Sequence, residues 1–328
     1  MFVARFVSHV TPPLLSGLLW PQILSGRKSA LKSGLSFLSF GCESDIIWFD
    51  VSFAWLPREA LGGLLSNSAK LLVLVLSITT AMPQKAIASV KDQDENDPAK
   101  AIALVREAIA ARGGDAYLAI RTIVSRGQYS PFDKGMPGDP VSFVDYVGYP
   151  GRERTEFGKG DSKLVQANSD MTGWVYDARQ KMIREQKEDQ IKQFQQSARY
   201  DLDNLLRTAS RQSGIKLAYL GRREAWRNTF SEAARVDFDD GGTATLHFDP
   251  HSKLPLMIEY KTVGEEGTVN NEVRYYRWID FNGIKIPTIQ DSYREGKQAN
   301  RVSFDTVSFN VDLPDKLFAK PSNIKEVK

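Results

Sequence analysis

The chain has 328 residues, with 43 Lys+Arg against 40 Asp+Glu and a formal charge of +3. Seven of the basic and four of the acidic residues fall within the first 88, so the remainder is formally neutral and offers no basis for nucleic-acid binding. The single cysteine, Cys42, lies in that same stretch, which excludes a disulfide framework and a thiolate metal site from everything after it.

Residues 1–66 hold mixed apolar clusters broken by Pro12-Pro13, Pro21 and Pro57, with no sustained period of 3.6 or 2. Three readings are open: sequence upstream of the true start, a poorly structured extension, or a membrane segment around Leu14–Leu24, against which Pro21 and the short length both count. Ser39-Phe40-Gly41-Cys42 has Phe where a lipid-attachment motif does not. Residues 67–88 read as a signal peptide: Lys70, the apolar run Leu71–Ile78, a Pro83 break and the small-x-small site Ala86-Ile87-Ala88. The expected working chain therefore begins near Ser89, in the periplasm, away from ATP and cytosolic cofactors.

Residues 89–97 are a polar linker, and 98–328 are long enough for one sizeable domain. Asp97-Pro98 starts a helix, Ile102, Val105 and Ile109 repeat at helical spacing, and Gly113-Gly114 ends it. The period then changes to two from Leu118 to Val124, followed by strand-like runs at 141–149, 152–157, 163–167 and 173–176. One long second helix is predicted over 189–212, with a stripe of Ile191, Phe194, Ala198, Leu202, Leu205, Leu206 and Ala209 packing on a sheet. The last third is a meander at 217–222, 234–238, 244–248, 256–263, 273–281, 284–293 and 301–311. Its turns include Asn282-Gly283, the strongest short hairpin signal.

About eleven strands and two long helices make a mainly β chain. A flat sheet that wide would leave an apolar face uncovered, so an antiparallel sheet curled into an unclosed barrel and capped by helices is expected. The large inward side chains would be Trp174, Tyr176, Leu246, Phe248, Ile258, Tyr260, Tyr276 and Trp278, the last two sharing one face of a strand. They either line a cavity for an apolar ligand or fill a solid core; composition does not separate the two.

His247, Asp249 and His251 are spaced by two, like metal ligands on a strand, but Asp-Pro-His-Ser-Lys at 249–253 is good turn chemistry. Asp237, Asp239 and Asp240 beside Gly241-Gly242 read as a hairpin tip. No Gly-x-Ser-x-Gly elbow and no phosphate-binding glycine loop occurs. A metal-dependent hydrolase using 247–251 and an envelope module binding a protein partner stand as alternatives.

Three segments, in order, resemble the LolA/LolB-like superfamily of periplasmic lipoprotein carriers: Leu246–Pro255 with its Asp turn and Leu-Pro, the Asp280–Pro287 hairpin, and Phe309–Pro321. The resemblance covers about residues 98–321. It implies an unclosed β-barrel with helices as a lid over an apolar cavity, a non-enzymatic carrier of acyl chains of lipids or lipoproteins, no cofactor, and transport proteins of either membrane as further partners. The chain has no evident match to the carrier's lid-anchoring arginine; Arg121 is the candidate.

Overall fold

The computed structural model describes residues 96–264 and 267–327. The segment expected to be a signal peptide, Cys42 and the N-terminal segment all lie outside the described residues.

Two helices open the fold, α1 (Pro98–Arg112) and the single turn α2 (Asp115–Leu118). Asp97 caps α1 by accepting from the Ala99 amide at 2.8 Å, and Pro98 occupies the first turn, where its missing N–H costs nothing. Gly113 ends it at φ +125°, and a Cβ there would lie 2.6 Å from the Gly283 carbonyl. The end of α1 thus rests directly on a hairpin turn of the sheet, and only glycine fits between them.

Seven strands follow: β1 (Thr122–Asp133), β2 (Met136–Pro137), β3 (Val141–Gly148), β4 (Arg152–Phe157), β5 (Leu164–Ser169), β6 (Thr172–Asp177) and β7 (Met182–Glu185). Then come α3 (Glu188–Arg199) and α4 (Leu202–Arg211). The predicted single helix over 189–212 is therefore two. Asp201 breaks it, because its carboxylate caps α4 by accepting from the Asp203 and Asn204 amides, which a continuous helix would bond elsewhere. The strand expected from Leu118 begins four residues later, after α2.

The meander comprises β8 (Ile215–Trp226), β9 (Thr229–Phe238), β10 (Thr243–Phe248), β11 (Pro255–Gly264), β12 (Gly267–Phe281), β13 (Ile284–Arg294) and β14 (Lys297–Phe309). Among the described residues all fourteen strands form one antiparallel sheet, in the order β7-β6-β5-β4-β3-β1-β14-β13-β12-β11-β10-β9-β8, with β2 paired to β1. Strand β14 joins β1, and β7 and β8 are free edges. The sheet is wide, curled and not closed. Asn282 and Gly283 both take positive φ, at +55° and +82°, as a two-residue hairpin turn demands.

Helices α1 and α4 lie on one end of this sheet. Leu104, Val105 and Ile109 of α1 and Leu205 and Leu206 of α4 pack with Leu217, Val236, Leu246 and Ile258 in one buried cluster. The principal helix contacts are α1 on β8, β9 and β13, and α4 on α1 and β8.

Gly127 fixes the seam where the two halves of the sheet join. It faces Phe143 on β3 and Phe304 on β14, and a bulge falls at Arg126/Gly127. The two phenylalanine rings meet edge to face over it at 5.7 Å. A Cβ at 127 would lie 1.9 Å from the Ser303 carbonyl oxygen. Gly127→Ala is expected to destabilise by about 1–3 kcal/mol through forced backbone displacement, read as a lower midpoint in urea unfolding with an unchanged slope.

Candidate functional site

Cross-strand register places the inward face residue by residue. One continuous row runs Tyr219, Ala234, Leu246, Ile258, Val273, Ser292, Asn300 and Pro131 across eight strands, β8 to β1. The adjoining row carries Tyr275, Gln290, Val302 and Tyr129. Beyond the Gly127 seam, Phe143 and Phe157 are paired, and Tyr129 meets Phe157 edge to face at 5.7 Å across the intervening strand. That contact between non-adjacent strands shows how tightly the sheet is curled here. The inward face is thus mostly apolar and aromatic from β8 to β4, interrupted by Gln290, Ser292 and Asn300 on β13 and β14, while the helices press mainly on β8, β9 and β13.

A polar row borders it. Ser125, Asp145, Thr155 and Gln166 are direct cross-strand neighbours on β1, β3, β4 and β5, all buried. Thr155 donates to Asp145 Oδ1 at 2.8 Å. Next to them Asn168 and Gln186 exchange two amide hydrogen bonds at 2.9 Å each. The sequence contained the signal: Phe143, Asp145 and Val147 alternate, so Asp145 must point inward with its neighbours.

The helices are held to each other by a buried charge cluster. Arg112, the last residue of α1, is 1% exposed and forms an ion pair with Asp203 of α4, itself 2% exposed. Tyr149 donates to Asp203 Oδ2 at 2.7 Å and Tyr117 to Oδ1 at 3.0 Å. Arg112 also donates to the Tyr117 hydroxyl at 2.9 Å and to the Lys285 carbonyl, and its guanidinium lies 5.4 Å from the Trp278 ring centroid. Arg207 caps the far side by donating to the carbonyls of Leu118 and Tyr117. Burial alone would raise the Asp203 pKa; the Arg112 charge, the Tyr149 hydrogen bond and Arg207 outweigh it and hold the carboxyl well below its ordinary range. Burial pushes both tyrosine hydroxyls up, keeping them neutral donors. Both members of the ion pair have further hydrogen-bond partners, which is the condition for a buried ion pair to persist.

The residues expected to line a cavity divide three ways. Leu246, Phe248 and Ile258 are fully buried in the main core, and Tyr260 and Trp278 pack against it, Tyr260 stacked on Tyr200 at 4.5 Å. Trp174 and Tyr176 belong to a separate small cluster with Val165, Ala167 and Val327. They do not share an interior with the others, because even-numbered residues of β6 face away from the helices. The Trp174 indole N–H donates to the Phe318 carbonyl at 2.8 Å, beside a cleft of about 870 Å³ also lined by Arg152, Glu185, Ile191 and Lys320. Tyr276 lies on the outward face with Trp226, at 5.8 Å, and near Arg274 and Tyr293. The expectation that Tyr276 and Trp278 share a face is corrected by Arg277, whose φ of +55° breaks the alternation between them. Arg121 is exposed and precedes β1, where its backbone N–H donates to Asn310 Oδ1 at 2.8 Å. The arginine that ties the helices down is Arg112.

The turn cluster also divides. Asp249 accepts from the amides of His251 and Ser252, as a turn residue should, and His251 is exposed. His247 instead stands in β10, outward-facing yet only 3% exposed, between Ser231 Oγ at 2.8 Å and Glu259 Oε2 at 3.1 Å. Three hydrolase-type groups in a line invite a catalytic reading, but Ser231 is 0% exposed and its hydroxyl also meets the Arg223 carbonyl at 3.2 Å. No substrate carbonyl can approach a nucleophile so enclosed. Asp237 pairs with Arg235 and Asp240 with Arg199, so the three aspartates form no shared site. No group of three or more potential metal ligands occurs among the described residues.

No family model matches the chain, and no curated protein matches its sequence. Solved structures do. A LolA superfamily protein from Nitrosomonas europaea is 13% identical over 67% of this chain and 97% of its own, with a TM-score of 0.46. A DUF1329 family protein from Desulfovibrio piger is 15% identical over 68% and 98%, with a TM-score of 0.46. A candidate outer membrane lipoprotein-sorting protein domain from Vibrio parahaemolyticus is 9% identical over 68% and 98%, with a TM-score of 0.44. At such identities and scores these neighbours carry no inference about activity or ligand. The described residues themselves form a mainly β fold, one wide curled antiparallel sheet not closed into a barrel, with few helices.

Proposed function

We propose that this chain is a non-enzymatic carrier of acyl chains of lipids or lipoproteins, exported to the periplasm and held there as a soluble binding protein. One observation carries the reading: the inward apolar face is wider than the helices that rest on it. Leu246, Ile258 and Val273 continue a row that the helices cover at one end, while Tyr129, Phe143, Phe157 and Phe304, buried in the same cluster, set aromatic rings on strands where no described helix makes a principal contact. Such a face suits a long apolar ligand and offers no activated nucleophile or metal centre. The Arg112–Asp203 ion pair, with its tyrosine donors, makes α1 and α4 a single unit that can act as the cover of that face.

The test is displacement of a fluorescent fatty acid from the purified full-length chain. Saturable uptake, competed by a dialkyl lipid, is the expected result. A filled core serving only a protein partner would give no saturable uptake.

A further inference from the structure

Resting on the carrier reading, we infer that the inward face holds a second, polar subsite that takes the uncharged, hydroxyl-bearing head of an acyl lipid, built from Ser292 and Asn300 with Gln290 beside them. Asn300 is 0% exposed, and neither its side-chain oxygen nor its nitrogen has a hydrogen-bond partner among the described residues. The same holds for Ser292 Oγ, on a residue 9% exposed, and for the Gln298 side-chain nitrogen. Ser292 and Asn300 are neighbours by register, and Gln290 precedes Ser292 by two on β13, on the same face; the bulge at Ser292/Tyr293 sets Gln298 opposite Tyr293 instead. Gln290 is 3% exposed.

An amide left without partners in a protein interior is costly, and isolated cases call for an explanation. Asn300 and Ser292, both without partners among the described residues and paired directly across adjacent strands, are not an isolated case. Their position supplies the explanation. Ser292 and Asn300 continue the apolar row through Leu246, Ile258 and Val273, so an acyl chain lying along that row would present its head to them.

The chemistry of the head follows from the donor set. Amides and a hydroxyl offer both donors and acceptors and no formal charge. The charged residues of the same segment, Asp291 and Arg301, point to the opposite face and bond each other at 2.6 and 2.7 Å. A carboxylate or phosphate head entering here would meet no counter-charge from these strands, whereas a glycerol or sugar hydroxyl group would satisfy Asn300 at both ends.

The test uses the full-length protein with three probes of equal chain length: a monoacylglycerol, an alkyl glucoside and the free fatty acid. The wild-type chain is expected to bind at least one neutral probe about tenfold more tightly than the acid, the scale of one or two satisfied buried hydrogen bonds. The stronger of the two neutral probes identifies the head as glycerol or sugar. Asn300→Leu with Ser292→Ala is expected to abolish that preference while leaving fatty-acid affinity within about twofold. It should also raise Tm by a few degrees, roughly what removing unsatisfied buried amide groups returns. Should the double variant fail to fold, Ser292→Ala alone, a smaller change, is expected to narrow the preference. Equal binding of acid and neutral probes by the wild type, or a preference that survives these changes, overturns the inference and leaves the carrier reading standing. Binding of none of the three overturns both.

Discussion

Asp203→Asn is expected to destabilise the protein by about 3–5 kcal/mol, because it leaves the Arg112 guanidinium buried with no opposing charge. Arg112 is 1% exposed and cannot turn to water without unpacking the end of α1 from Tyr117 and Trp278. Arg112→Met leaves a carboxylate that still receives Tyr117 and Tyr149, so its cost should be smaller. The double variant Arg112→Met with Asp203→Leu should recover much of the loss, since an apolar pair of similar volume removes both desolvation penalties. The pH dependence follows with definite signs. Asp203 has a depressed pKa in the fold, so its contribution is present above the ordinary carboxylate range and is lost as pH falls below about 4. Tyr117 and Tyr149 have raised pKa values, so theirs is complete below about pH 10 and is lost as pH rises beyond it. Urea unfolding of wild type and Asp203→Asn across pH 3 to 11 checks all of this; a difference that stays constant down to pH 3 would contradict the assignment.

The second large effect separates core from cavity. Phe248→Ala should cost about 3–5 kcal/mol and leave acyl affinity little changed, since Phe248 is fully buried in the cluster beneath the helices. Phe143→Ala, buried in the same cluster but near the Gly127 seam and away from the principal helix contacts, should also cost stability and in addition weaken acyl-probe binding about tenfold or more. The two variants are read by the same pair of measurements, denaturant midpoint and probe affinity. Equal losses of stability with no change in affinity at Phe143 would show a uniformly filled interior.

Much of this architecture could be read from residue patterns. The Asp97-Pro98 start, the Gly113 stop and the Asn282-Gly283 turn are local chemistry, and each forms as its residues dictate. The wide curled sheet followed from strand count against helix count. Two of the three segments that carry the resemblance proved to be joints. Asn310 of the last one ties to the start of β1, its side chain accepting from Arg121 and its amide donating to the Thr122 carbonyl. The Asn282-Gly283 turn supports the end of α1 through Gly283. What could not be read was long-range. Arg112 and Asp203 are 91 residues apart in sequence, and each alone resembles an ordinary polar residue at a helix end. Arg121 stands exposed just ahead of β1, because period-two counting started the first strand before the α2 turn. Trp174 and Tyr176 were assigned inward because alternation within a strand gives two faces but does not say which one the helices cover. His247 falls in the strand expected at 244–248, but its burial against Ser231 of the neighbouring strand could not be read from the sequence.

The central claim is that the inward face holds an acyl chain. Native mass spectrometry of the full-length chain, expressed in a Gram-negative host and purified without detergent, tests it most directly. The account predicts adduct masses near one lipid per protein, released by organic extraction and reduced in the Phe143→Ala variant. Wild-type protein that is folded, carries no lipid and takes up none when offered would contradict it.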